Sequence, residues 1–191
     1  MDATSPHNNA PHISRTMKII LAAAGAILLV YVLVIAWLSI PASMQVDRGQ
    51  VAAQAKEITD YQLPDGFVER ASTSIAGVER ILIDDTGEQD TIWLVSGWEA
   101  GSDSPDMELR QGITFPRYRS IEWQAGEPKT MTVRGQQVSV AVYSGGGPNF
   151  VAYHAWACAF QGKNGPAILV IAGPETSWSD ARAQAFINSM K

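Results

Sequence analysis

Residues 150–172 read FVAYHAWACAFQGKNGPAILVIA, and this stretch decides the fold. Phe150, His154, Trp156, Cys158 and Phe160 share one parity, with Ala152 among them, while Ala155, Ala157 and Ala159 hold the other. A period of two marks a β-strand, whose successive side chains leave on opposite faces. Pro166 to Ala172 then carries Ile168-Leu169-Val170-Ile171, a run rich in β-formers. Between them, Gly162-Lys163-Asn164-Gly165 supplies the positive φ that hairpin turns require. These are the two central strands of an antiparallel sheet. The large row is expected to lie under a helix, and the alanine row to admit close approach of another element.

Outward from this hairpin the pattern continues. Strands are expected at 67–75, 78–84, 90–98, 117–124, 129–134 and 137–143, which brings the count to as many as eight. Asp85-Thr86-Gly87 and Arg134-Gly135-Gln136 are turns, and Ser144 to Pro148 is a loop. Val51, Ala52, Ala55 and Ile58 fall at helical spacing and predict a helix over 46–61, closed by Leu63-Pro64-Asp65-Gly66. Ser104 before Pro105 starts a short helix over 105–111. Ser177 and Asp180 match a capping box for a last helix over 178–190. The fold class is therefore α+β: an antiparallel sheet covered by helices on one face.

The N-terminal part has a different character. Ile19 to Ile40 holds 22 residues without a charged side chain, flanked by Arg15 and Lys18 before and Pro41 after. As a helix it would run roughly 33 Å, enough to cross the ~30 Å hydrocarbon core of a bilayer. A cleaved leader needs an apolar stretch of only about 7–15 residues and a small-x-small site. The best cut here, after Ala42, has Ile40 three positions earlier. A retained transmembrane helix at 17–40 is the expectation, following a disordered cytoplasmic tail at 1–16 and preceding a soluble domain at 41–191. Two basic residues abut the N-terminal end of the run, whereas Arg48 and Lys56 stand off from the other, and Trp37 falls where an interfacial aromatic lies. That asymmetry favours an exported C-terminal domain. Ala22 and Ala26 form a small-xxx-small pair of the kind expected by chance in an alanine-rich segment.

Composition excludes some functions. Residues 41–191 carry 12 Lys and Arg against 18 Asp and Glu, the opposite of the basic patch nucleic acid demands. The same balance argues against a polybasic grip on lipid heads. The only cysteine, Cys158, excludes an internal disulfide.

No catalytic, cofactor-binding or metal residue is assigned, and no cofactor is expected. Asp85-Thr86-Gly87 matches an aspartic-protease triplet, but that chemistry needs two such carboxylates and the chain has one copy. His154 and Cys158 are four apart, a metal spacing on a helix, yet on a strand they stand roughly 13 Å apart. Ser144 lacks the flanking glycine elbow of a nucleophile, and no Lys-Ser or Lys-Thr follows the glycines as in a phosphate loop. Arg117 and Arg119 share a strand face and are expected to meet acidic neighbours. His7 and His12 in the tail have no carboxylate or cysteine beside them and read as solvated.

Leu63-Pro64-Asp65-Gly66-Phe67, the Gly165–Pro174 strand and the closing Phe186-Ile187-Asn188-Ser189 resemble a group of uncharacterised bacterial single-pass membrane proteins. Those share Leu-Pro-x-Gly-aromatic and Gly-Pro-Ala strand motifs. The order of a sheet followed by such a helix is similar, far more weakly, to PsbP-like domains. The first resemblance implies a bacterial envelope location and supplies no catalytic residue. The functional expectation is a binding or assembly module at the membrane, with envelope proteins as partners and contact surfaces at Gly145–Gly147 and the 99–112 loop. The alternatives are a membrane-bound hydrolase built around Asp85 or His154, and a regulatory subunit of a membrane complex.

Overall fold

The structure, a computed structural model, describes residues 24–31, 42–87, 89–97, 105–111, 118, 120–147 and 150–191. The chain divides into two compact units, Met1–Ile40 and Pro41–Lys191. In the first, residues 24–31 are helical and exposed. Among the described residues no helix is long and apolar enough to cross a membrane. The expected tail at 1–16 and the remainder of the expected span lie outside the described residues.

The second unit runs β1 (Ala42–Gln45), α1 (Arg48–Ile58), β2 (Phe67–Ile75), β3 (Val78–Asp85), β4 (Thr91–Ser96), α2 (Pro105–Gln111), β5 (Glu122–Ala125), β6 (Lys129–Val133), β7 (Gln136–Gly146), β8 (Ala152–Gln161), β9 (Pro166–Pro174) and α3 (Asp180–Ser189). Eight strands follow the order β1-β2-β3-β4-β9-β8-β7-β5, with β6 also on β7. Every described pairing is antiparallel. The hairpin foreseen from residues 150–172 thus sits in the middle, where β9 joins two meanders by pairing with β4.

Between Ala125, opposite Tyr143, and Lys129, opposite Val140, the residues Gly126, Glu127 and Pro128 face only Ala141 and Val142. This is a β-bulge, which bends the strand. Pro128 has no N–H to give a ladder, so it suits the interruption. Past the bulge, β6 and the first half of β7 leave β8, and Val133 and Val140 join the helix-side core.

The sheet is covered on both faces, a correction to the one-face expectation. On one face Ile81, Ile83, Leu94, Leu169, Trp156 and Phe160 pack with Val51, Ala55 and Ile58 of α1 and with Ala183, Phe186 and Ile187 of α3. On the other, Trp93, Val95, Ile168, Val170, Ala155 and Ala157 share a cluster with Leu109 of α2 and with Tyr118. The alanine row does admit a close neighbour, and that neighbour is helix α2. Its docking includes the Arg80–Glu108 pair, 3.3 Å apart and buried on both sides. Period two made the central strands legible, but the apolar run in β9 serves two cores, and only the fold reveals the second.

Three local expectations also shift. β1 was not foreseen, because Ala42-Ser43-Met44-Gln45 has no β-signature and becomes a strand by pairing with β2. The cap of α3 is Ser179, whose side chain accepts from the Arg182 amide, rather than Ser177. The freed Ser177 hydroxyl instead donates to Asp90 Oδ1 at 2.6 Å. Phe150 is outside β8: its φ is 61° and its side chain is fully exposed.

Candidate functional site

The exposed end of the β7–β8 hairpin carries an open, concave surface. Ser144 on β7 lies opposite His154 on β8 and opposite Gln124 on β5. An amide, a hydroxyl and an imidazole therefore form one row across three neighbouring strands, on the same sheet face as Trp156. Beyond this row the hairpin narrows to glycine. A Cβ on Gly145 would stand 2.5 Å from Ile121 Cγ2 and 2.9 Å from the Glu122 carbonyl, so the opposite face closes down there only because the side chain is missing. The Gly147 amide donates to the Val151 carbonyl at 2.8 Å and tightens the turn.

The result is an open trough of about 490 Å³, lined by Gln124, Ser144, Gly145, Gly146, Gly147, Phe150, Val151 and Ala152. None of these side chains is charged. Phe150, in a left-handed conformation unusual for a bulky residue, stands on the rim.

Beside the trough lies a second group. The His154 ring is 6.0 Å from that of Trp178, which meets Trp156 edge-on at 6.1 Å. Lys129 Nζ sits 4.1 Å above the Trp156 ring, a cation–π geometry, and 2.8 Å from Asp180 Oδ2. Trp178 Nε1 donates to Asp180 Oδ1 at 2.7 Å. Desolvation pushes the Asp180 carboxyl up, but the hydrogen bonds from Lys129 and Trp178 and the nearby positive charges outweigh it, and its pKa is lowered.

A smaller cleft of about 260 Å³ opens at the other end of the strands, where Glu57 and Glu79 meet the backbone of Gly77, Gly97 and Gly165.

Among the described residues, Ser144 and His154 are the sequence-derived candidates that the fold brings together. Asp85 is turn chemistry: its carboxylate accepts from the Gln89 amide at 2.7 Å. β3 and β8 are three strand spacings apart, about 14 Å, so Asp85 and His154 share no site. Cys158 is buried on the same strand face as His154, and burial pushes its thiol up to about 12. Among the described residues no group of His, Cys, Asp and Glu is placed to hold a metal ion. Arg117, Arg119, His7 and His12 lie outside the described residues, whereas Tyr118 is buried against Trp93 and Trp123. Of the 99–112 loop, residues 105–111 form α2, with Leu109 and Glu108 buried, and the rest lies outside the described residues.

Ser144 to Gly146 belong to β7 rather than to a loop, because the absent glycine side chains let β5 approach. Gln124 went unnoticed in the sequence. Its partnership with Ser144 depends on register across the bulge, for which adjacent residues give no signal. No family model matches the chain, and no curated protein matches it.

Proposed function

We propose that this chain is a membrane-anchored bacterial envelope protein whose α+β domain, on the exported side, is a binding or assembly module. The anchor rests on the uncharged run Ile19 to Ile40. The observation that carries the binding role is the neutral trough beside the His154–Trp178 pair. It is a concave surface mounted on a rigid sheet, with polar groups and an exposed aromatic converging on it. The test is recovery of the full-length protein from solubilised membranes with a photo-crosslinker at Ser144. One specific envelope partner, lost when Phe150 is changed to Ser, is the expected result. Repeated recovery without a specific partner sinks the reading.

The hydrolase alternative keeps one favourable feature, since Ser144 and His154 are directly opposed across β7 and β8. Built around Asp85 or His154, it requires that alanine at those positions abolish an activity while leaving the fold intact. A regulatory subunit would instead co-migrate with a larger assembly on a native gel.

A further inference from the structure

The trough beside His154 sets hydrogen-bonding groups in a row without charging them. Gln124 and Ser144 are exposed, and the register puts them side by side, with His154 next. The Gln124 amide offers two donors and a carbonyl acceptor in one plane, and the Ser144 hydroxyl both donates and accepts. The floor next to this row is open, since a Cβ on Gly146 would meet nothing within 4 Å. Two exposed glutamates border that floor. Glu122 lies opposite Gly146 and shares its face by strand parity, and the Glu175 amide donates to the Ala152 carbonyl at 2.8 Å. On the His154 side, Lys129 and Asp180 balance each other in an ion pair at 2.8 Å. At the rim, the Phe150 ring is fully exposed although its backbone is left-handed, with φ at 61°. That ring buries no surface in the fold, so its face is left for a ligand.

Resting on the reading of the trough as a binding site, we propose that its ligand is a neutral saccharide. A sugar ring carries hydroxyls around its edge, each a donor and an acceptor, and a C–H face that stacks on an aromatic ring. Gln124 and Ser144 meet the edge, and Phe150 meets the face. Carboxylates accept well from hydroxyls but repel anions, so Glu122 and Glu175 suit a sugar and disfavour a phosphate or a carboxylate. A purely apolar ligand would leave the amide and the hydroxyl without partners. The trough's volume of about 490 Å³ falls within the range of small-molecule sites.

The test places the full-length protein on an array of neutral and anionic glycans, in a polyoxyethylene detergent whose headgroup is not a sugar. Retained glycans are then titrated against the protein and against Gln124→Ala, Phe150→Ser and Gly146→Leu, the last filling the floor. The expected result is retention of neutral glycans, with each variant binding about tenfold more weakly and unfolding at the same temperature. Protease digestion of the adduct photo-crosslinked at Ser144 tells the source, leaving a polymer if the sugar is a free polysaccharide and a glycopeptide if a protein carries it. Stronger retention of anionic than of neutral glycans overturns the proposal, and so does binding that all three variants leave unchanged. Retention of no neutral glycan, while the crosslinker still yields a partner lost with Phe150→Ser, overturns the saccharide and leaves the binding role standing. Should the crosslinker yield no partner either, both fall.

Discussion

Trp156 and His154 are two residues apart on one face of β8, yet Trp156 is sealed and His154 stands half open. Over Trp156 the cover comes from Lys129 of β6 and from Trp178 at the entry to α3. Over His154 lies the ring of Trp178, and at Ala152 the strand is exposed. The same strand therefore passes from core to candidate site where its covering elements run out. A binding surface needs no special backbone here. It needs a rigid strand that outlasts its cover.

The comparison breaks most sharply at Trp156. Trp156→Ala should cost about 3–5 kcal/mol in denaturant unfolding, as truncation of buried aromatics does. A loss under about 1 kcal/mol would mean the closed end is not closed. Alkali probes the same end. The folded thiol of Cys158 titrates well above its ordinary value of 9.0, so the unfolded chain loses that proton first and stability falls as pH rises from about 9 towards 12. Cys158→Ala should flatten part of that decline, measured as the pH dependence of the unfolding free energy.

At the open end the expected effects shrink. Gly145→Ala forces a methyl into Ile121 and the Glu122 carbonyl and should cost about 1–3 kcal/mol, whereas Gly146→Ala meets nothing within 4 Å and should stay within about 0.5 kcal/mol. Equal losses at the two glycines would contradict the close approach of β5. Ser179→Ala should remove about 1 kcal/mol by uncapping α3, the element that ends the cover. Ser144→Ala and Phe150→Ser should leave thermal unfolding unchanged and lower partner recovery. If either unfolds the domain, the trough is structural.

How much of this was readable varied by element. The β8–β9 hairpin and the start of α2 at Pro105 were plain, because alternation and helix starts are local. The cap of α3 slipped by two residues, since Ser177 and Ser179 both precede an acidic first turn and the choice fell to Asp90, distant in sequence. β1 was invisible, since its only reason to be a strand is β2. Of the candidate site, the glycines and His154 stood out. Their companionship with Gln124 did not, because a bulge resets the register by one residue between β5 and β6.

From the sequence alone came the greasy N-terminal run, the acidic balance of the remainder, and the alternation of large residues with alanine along β8. Each is a property of neighbouring residues and of chain chemistry. The tertiary structure alone decided that both faces are covered, that Ser144 stands between Gln124 and His154, and where β8 emerges from its cover. Those depend on strand register and on which distant elements reach which face, and such choices are made by contacts between segments that carry no mark of one another.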